Sequence, residues 1–204
     1  MPSIDRLRNF VQDMTRTVEQ LGQDERAMLR EGRKLLAGLI ARDDWLPDQF
    51  AQPHPATYRQ YLLYCDPLER FSVVSFVWGP GQTTPVHDHT VWGLVGVMRG
   101  AEKCEEYART GDEQPMRKSG EHIVRPGEID AVSPTLGDIH TVSNALADRP
   151  SISIHVYGAN IGAVRRHVYL PETGAIKSFV SGYSSDVIPN LWDRSAEMRA
   201  GVLK

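Results

Sequence analysis

The 204-residue chain has few cysteines, little net charge and no long apolar run. Cys65 and Cys104 lie far apart in sequence, which argues against a disulfide framework and favours two free thiols in a reducing compartment. A formal net charge of −3 gives no electrostatic reason to expect nucleic acid or an anionic membrane as a partner. No apolar stretch reaches the ~20 residues that span a bilayer, and the N-terminus lacks a signal-peptide pattern. These absences predict a cytoplasmic protein.

The first quarter of the chain has the apolar spacing of amphipathic helices. One stripe follows Ser3, a candidate helix cap, and a second follows Asp24. The residues of the two stripes are Leu7, Phe10, Val11, Met14, Val18 and Leu21, then Met28, Leu29, Leu35, Leu36, Leu39 and Ile40. We expect both stripes to pack against the rest of one domain, residues 1–204, in which 1–45 form a helical N-terminal region.

From residue 58 onward, short runs rich in β-branched and aromatic residues alternate with turn signals. The runs are YRQYLLYC, FSVVSFVW, WGLVGVMR, EKCEEYA, EHIVR, SISIHVYG and RRHVYL. Many short strands at regular spacing favour a closed barrel or a sandwich. The predicted fold is therefore mainly β, with a barrel over residues 58–170. Residues 171–204 form a C-terminal extension, expected to be loosely ordered after Trp192.

Three histidines are candidate metal ligands. If His87 and His89 lie on one strand, both side chains face the same side and Asp88 faces away. A third imidazole, His140, follows Gly137 on a later strand that a barrel would bring alongside. Three neutral imidazoles suit zinc, copper, iron or nickel, and ligand type alone does not choose among them. The alternative is that these are ordinary hydrogen-bonded histidines. The isolated His54, His122 and His167 are not expected to be ligands.

A polar alternation occurs within SISIHVYG. Ser153, His155 and Tyr157 are two residues apart, so on a strand all three would point into the barrel. Inward polar groups need hydrogen-bond partners, and these three can bond in sequence. They form either a hydrogen-bond ladder within the core or, beside a metal, a relay that ends in a phenol.

These motifs resemble the cupin superfamily, and within it the cysteine dioxygenase family of thiol dioxygenases. The first cupin motif matches from Gly81 through His87 and His89 to Gly100, except that Gly93 stands at the usual glutamate position. The second motif matches from Gly137 through His140 to Asn144, whereas its earlier half is irregular, with Pro134 one residue too early. The cysteine dioxygenase family lacks that glutamate and carries the Ser-x-His-x-Tyr pattern. The resemblance covers roughly residues 58 to 170.

The resemblance implies a cupin-type barrel, or double-stranded β-helix, with two N-terminal α-helices. It also implies a mononuclear enzyme that holds Fe2+ on His87, His89 and His140 and adds both atoms of O2 to the sulfur of a small thiol. Tyr157 would orient the bound ligands, with His155 and Ser153 behind it. Mammalian relatives carry a cysteine near the position of Gly93 that crosslinks to this tyrosine.

Substrate choice depends on a second departure from the family. Members selective for cysteine have an arginine where this chain has Gln60, which resembles the bacterial branch that prefers 3-mercaptopropionate. The adjacent Arg59 would face the opposite side of the strand. Arg166 is a replacement cation, because alternation places it inward and Arg165 outward. Its alternative role is a structural ion pair. L-Cysteine stays a possible substrate.

Two other functions stay open. Another metal-dependent cupin enzyme would usually keep the glutamate that Gly93 replaces. A non-catalytic, ligand-sensing cupin would be expected to carry a DNA-binding module, yet the N-terminal helices show no basic recognition helix. The sequence does not predict the oligomeric state.

Overall fold

A computed structural model describes residues 4–185 and 195–202. Within these residues the regular structure consists of helices and short antiparallel strands. The helices are α1 (Asp5–Leu21), α2 (Glu25–Ile40) and α3 (Ser195–Val202), with short 3-10 turns at Asp48–Phe50 and Ile161–Ala163. The strands are β1 (Arg59–Cys65), β2 (Ser72–Trp78), β3 (Val86–His87), β4 (Gly93–Arg99), β5 (Glu102–Ala108), β6 (Arg117–Val124), β7 (Ile129–Val132), β8 (His140–Asn144), β9 (Ser151–Tyr157), β10 (Arg166–Leu170) and β11 (Ala175–Phe179).

The strands form two antiparallel sheets. One has the order β1-β2-β9-β4-β7, and the other has the order β11-β10-β3-β8-β5-β6. Non-consecutive strands are neighbours in both sheets, as in a double-stranded β-helix. The prediction of a mainly β, cupin-type fold with two N-terminal helices is confirmed.

Capping interactions and backbone conformation explain where α1 ends and where α2 begins. Asp24 caps α2, because its Oδ1 accepts a hydrogen bond from the backbone N–H of Ala27 at 2.9 Å. Gly22 follows α1 with a φ of +57°, a conformation that glycine adopts without strain. Ile4 precedes α1 without a side-chain cap, and the predicted cap Ser3 lies outside the described residues.

Helices α1 and α2 pack on the outer face of the five-stranded sheet, which is apolar. The central residues of this core come from both layers: Met14, Met28, Leu36, Val73, Val77, Leu94, Ile154 and Val156. A Cβ built at Gly96 would lie 2.9 Å from Cδ1 of Ile40, so the glycine lets α2 approach β4 closely. The apolar stripes of the sequence are therefore packing surfaces, as expected.

The β structure exceeds the predicted bounds. β11 pairs with β10 along its whole length, so the six-stranded sheet continues to Phe179, beyond the expected barrel end at residue 170. In the segment expected to be loosely ordered, residues 195–202 form α3, while Trp192 lies outside the described residues. No helix in the described part of the chain is long and apolar enough to cross a membrane.

Candidate metal centre

Three histidine rings converge inside the barrel. His87 on β3 is the register partner of His140 on β8, so the antiparallel pairing brings these two side chains together. His89 is not on the same strand as His87, because β3 ends at His87; this corrects the sequence interpretation. The chain nevertheless returns the His89 ring to the cluster, with ring centroids 4.8 Å from His87 and 4.9 Å from His140.

A carboxylate determines the position of His89 beyond the strand end. Oδ1 of Asp138 lies 2.8 Å from Nδ1 of His89, and its Oδ2 accepts the backbone N–H groups of His89 and Thr90. Asp88, between the two histidines, points away as expected. It is buried and accepts hydrogen bonds from the backbone of His167 and the hydroxyl of Tyr169.

Each ring has its Nδ1 engaged on the side away from the cluster. Nδ1 of His87 lies 3.1 Å from the carbonyl oxygen of Pro85, and Nδ1 of His140 lies 3.3 Å from Sγ of Cys104. Together with the Asp138 contact, these partners hold Nδ1 of all three rings in hydrogen bonds. The Nε2 lone pairs are therefore the ones left for a metal, which is the arrangement that orients histidine ligands in metal sites.

Burial keeps the three imidazoles neutral near pH 7. Desolvation lowers the pKa of His87 and His89 well below the usual range, and neighbouring positive charge reinforces the effect. Burial lowers the pKa of His140 to about 4, against the opposing effect of Asp130 and Asp138. A metal does not have to displace protons from such rings.

The donor set fits a divalent transition metal. The ligand atoms of His87, His89 and His140 lie within 4.8 Å of one another, and all three residues are buried. No thiolate or carboxylate belongs to this cluster among the described residues, so a cation bound by the three neutral rings would keep its full charge. That charge favours anionic substrates.

The Ser-x-His-x-Tyr residues form a continuous hydrogen-bond chain on β9. Oγ of Ser153 lies 2.7 Å from Nε2 of His155, and Nδ1 of His155 lies 2.7 Å from the hydroxyl oxygen of Tyr157. All three residues are buried, and the Tyr157 ring stacks on His89 with centroids 5.5 Å apart. We call these three residues the relay. Its phenol end lies at the histidine cluster.

A cavity of about 480 Å3 connects the histidine cluster, the relay and Arg166. Arg166 is buried, as alternation predicts, whereas Arg165 is exposed. One Nη of Arg166 donates to Oγ of Ser181 at 2.7 Å, and the guanidinium lies 4.7 Å from the centre of the Phe179 ring. Among the described residues its Nε has no hydrogen-bond partner and no carboxylate pairs with it. The expected alternative role, a structural ion pair, therefore has no partner in that part of the chain.

Gln60 also borders the cavity, but its side chain is committed to the main chain. Its Nε2 donates to the carbonyl of Gly182 at 2.6 Å. Arg59 borders the cavity too, although strand alternation predicts the opposite side. Both residues lie at the start of β1 and reach the cavity, so alternation does not separate them there.

Comparison with known proteins identifies the family. Residues 8–169 match the family described as cysteine dioxygenase type I. The chain belongs to the cysteine dioxygenase type I family. Cysteine dioxygenase type 1 from Danio rerio is 22% identical over 151 residues, which cover 72% of this chain and 73% of the relative. Membership of the family makes the chain a thiol dioxygenase.

Solved structures with a similar shape include other double-stranded β-helix proteins. An uncharacterized conserved protein with such a domain from Klebsiella pneumoniae is 18% identical, covers 59% of this chain and 95% of its own, and has a TM-score of 0.46. A cupin-superfamily sugar phosphate isomerase from Silicibacter pomeroyi is 19% identical and has a TM-score of 0.40. The match covers 54% of this chain and 62% of the isomerase chain. With TM-scores below 0.5, neither structure carries weight in the functional assignment.

The three histidines that belong neither to the metal-ligand cluster nor to the relay have other partners. Nδ1 of His54 accepts the backbone N–H of Ala56 at 3.2 Å. His167 contacts Asp88 at 2.8 Å, and His122 contacts Asp130 at 2.9 Å. His122 and Asp130 also lie near Cys104, and the ligand atoms of these three residues are within 4.8 Å of one another.

The sequence analysis did not identify two residues that contact the candidate metal ligands, Asp138 and Cys104. Asp138 lies two residues before His140, inside the second motif, so an acidic residue at that spacing was an available signal. Cys104 contacts His140 because β5 pairs with β8, and no local pattern in the sequence predicts that pairing.

Proposed function

We propose that the chain is a mononuclear non-haem iron dioxygenase that oxidises 3-mercaptopropionate to its sulfinic acid, with L-cysteine as a poorer substrate. The composition of the cavity wall carries this proposal. Within the described residues the wall has three basic side chains, Arg59, Arg166 and Lys177, and no carboxylate. Such a wall can pair with a substrate carboxylate, but it offers no anion for the α-ammonium group of cysteine.

His87, His89 and His140 would hold the ferrous ion through Nε2. Three neutral rings leave coordination positions open for substrate, as catalytic metal sites require. When bound, ferrous iron supplies the place where the thiolate and O2 meet, and both oxygen atoms of O2 pass to sulfur: R–S⁻ + O2 gives R–SO2⁻. The balance needs no external reductant.

The protein residues bind and orient the substrate. Arg166 lines the cavity, and its guanidinium would donate to the substrate carboxylate in a charge-assisted contact strengthened by burial. Burial lowers the pKa of Arg166 from its usual value, yet an arginine with a carboxylate partner keeps its charge. Tyr157 would direct its hydroxyl toward the ligands at the histidine cluster, and His155 and Ser153 hold that hydroxyl in place.

The first experiment measures oxygen consumption by the iron-loaded protein with a panel of small thiols. We expect kcat/KM for 3-mercaptopropionate to exceed that for L-cysteine by at least about tenfold, or ~1.4 kcal/mol of differential transition-state binding. Mass spectrometry of the product should show addition of two oxygen atoms. Equal or better efficiency with L-cysteine would overturn the substrate assignment.

Arginine variants test the carboxylate contact. Arg166→Met should lower kcat/KM for 3-mercaptopropionate by roughly tenfold to a hundredfold, since hydrogen bonds to charged groups contribute ~1.5–3 kcal/mol. The exposed neighbour provides a matched control, and Arg165→Met should leave kcat/KM unchanged. Gln60→Arg should narrow the ratio of kcat/KM for 3-mercaptopropionate over L-cysteine, because it introduces the arginine that family members selective for cysteine have at this position. If Arg166→Met and Arg165→Met changed kcat/KM equally, Arg166 would not contact the substrate.

Membership of the cysteine dioxygenase type I family argues against the two other functions that the sequence alone left open, and metal analysis combined with the oxygen assay would recognise either of them. Another metal-dependent cupin enzyme would bind metal but consume no oxygen with any thiol. A ligand-sensing cupin would bind small anions without turnover.

A further inference from the structure

A buried carboxyl group lies at the inner end of the relay. Glu102, the first residue of β5, is 1% exposed, and its carboxyl lies beside Ser153, Ser151 and the indole of Trp78. Within the described residues, neither carboxyl oxygen has a hydrogen-bond partner with good geometry. The same holds for Oγ of Ser151 and Nε1 of Trp78. A cluster of unsatisfied buried polar groups of this kind requires an explanation, because each one is costly to bury.

The relay has a direction, because His155 carries a single ring proton. Burial lowers the pKa of His155 well below its usual range, so one ring nitrogen donates and the other accepts. If Ser153 donates to Nε2, then Nδ1–H donates to the Tyr157 oxygen and the phenol hydrogen is free. If Nε2–H donates to Ser153, then Nδ1 accepts the phenol hydrogen and Tyr157 can only accept from the cavity.

We propose that Glu102 is a positioning residue that sets this direction. As a neutral acid, Glu102 donates to Oγ of Ser153, Ser153 donates to His155, and the Tyr157 hydroxyl points its hydrogen into the cavity. As a carboxylate, Glu102 accepts the hydroxyl hydrogen of Ser153, and every hydrogen bond of the chain reverses. In the reversal the single ring proton of His155 changes from Nδ1 to Nε2, so the relay keeps all its protons, and only the carboxyl group loses one, to solvent. The catalytic consequence rests on the proposed function, whereas the reversal itself does not.

The surroundings of Glu102 favour the neutral acid at pH 7. Burial raises the pKa of Glu102 to about 8, and the polar groups beside it oppose this by less. No cation faces it from the strands packed around it in the described part of the chain. β2 contributes Trp78, and the register partners on β6 and β8 are uncharged, Val124 and Asn144. The titratable groups along these interior faces are His155 and Tyr157 on β9, Cys104 on β5 and His140 on β8.

The first test reads the relay without turnover. Isotope-edited infrared difference spectra, with Tyr157→Phe subtracted, report whether the Tyr157 hydroxyl donates or accepts. In the parent protein we expect this signature to change as pH rises through about 8, together with loss of a protonated-carboxyl band. In Glu102→Gln, which cannot ionise, both changes should be absent. A tyrosine signature that ignores the ionisation of Glu102 would overturn the proposal.

A second variant covers the case in which Glu102→Gln does not fold. Ser153→Ala keeps the carboxyl group but removes its link to His155, at the loss of one small polar group. The carboxyl band should still titrate in this variant, while the Tyr157 signature should no longer follow it. If the tyrosine follows the carboxyl in Ser153→Ala, the coupling does not run through the relay.

The pH dependence of kcat/KM connects the reversal to catalysis. Above a pH of about 8 the parent protein should lose roughly tenfold in kcat/KM per pH unit through Glu102, since the active form is the protonated one. Glu102→Gln should lack this limb, while the exposed Glu106→Gln on the same strand should keep it. Ionisation of the substrate thiol is common to all three proteins. If no thiol is turned over, the proposed function fails and the infrared test still decides the role of Glu102.

Discussion

The two faces of β9 differ sharply in chemical character. Ile152, Ile154 and Val156 alternate with Ser153, His155 and Tyr157 along seven residues of one strand. The first set packs in the core under α1 and α2, and the second forms the relay beside the histidine cluster. One strand therefore separates a surface that stabilises the fold from a surface that borders the proposed metal site.

The two faces are buried to a similar extent but differ in energetic consequence. Fully burying a large apolar side chain contributes ~1.5–3 kcal/mol, whereas a buried polar group needs a hydrogen bond to avoid a cost. The relay meets that requirement internally, and Glu102 at its end does not. Substitutions on the outer face should therefore act on stability, and substitutions on the inner face should act on turnover.

The largest expected effect is on the inner side, at the proposed metal site. His140→Ala removes one of three converging ligands, and we expect it to lose both bound iron and activity. Metal analysis and oxygen uptake measure the two losses. His122→Ala is the matched control, because His122 lies outside the cluster and its side chain is partly exposed. Full oxygen-dependent activity in a His140→Ala protein that contains no iron would contradict the site assignment.

The next effect belongs to the outer face. Ile154 is 0% exposed in the core, so Ile154→Ala should reduce the free energy of unfolding by about 2–5 kcal/mol through lost burial and a new cavity. Urea denaturation measures this change. Iron content and kcat/KM per folded molecule should stay unchanged. A large fall in kcat/KM with little loss of stability would show that the two faces are not separable.

A smaller effect is expected at the phenol end of the relay. Tyr157→Phe removes one hydroxyl and keeps the ring that stacks on His89, so iron should stay bound. Turnover should fall by roughly tenfold or more, equivalent to ~1.4 kcal/mol of transition-state stabilisation. Oxygen uptake and sulfinate yield should be measured together. Unchanged turnover and unchanged coupling between them would return the relay to the role of a core hydrogen-bond ladder.

The periodicity of the sequence predicted on which face of a strand or helix each side chain lies. The alternation of period two in residues 151–157 placed Ser153, His155 and Tyr157 on one face, and the helical stripes placed Met14 and Leu36 in the core. The approach of His140 to His87 was also expected, but only from the requirement that a barrel brings distant strands together.

Contacts between distant strands could not be predicted in the same way. β5 pairs with β8, which brings Cys104 to His140, and the start of β5 meets β9, which brings Glu102 to Ser153. Alternation along β5 puts Glu102 and Cys104 on the same face, so the buried cysteine was a weak signal for a buried glutamate. The position of His89 depends on Asp138 rather than on a strand, and strand periodicity contains no such information.

The smallest expected effect is the absence of a covalent link at Tyr157. A Cβ built at Gly93 would lie 2.9 Å from Cε1 of Tyr157, the ring carbon beside the hydroxyl-bearing carbon, so a cysteine there would place sulfur against the ring. This chain has no sulfur at that position. Sγ of Cys104 contacts His140, and Cys65 is buried at the far end of β1.

Intact mass spectrometry after many turnovers should therefore give the unmodified mass, and no tryptic peptide should join Tyr157 to either cysteine. A species lighter by two hydrogen atoms would contradict this expectation. Gly93→Cys sharpens it, because the ring must shift to admit the new side chain, and only that variant should acquire the crosslink.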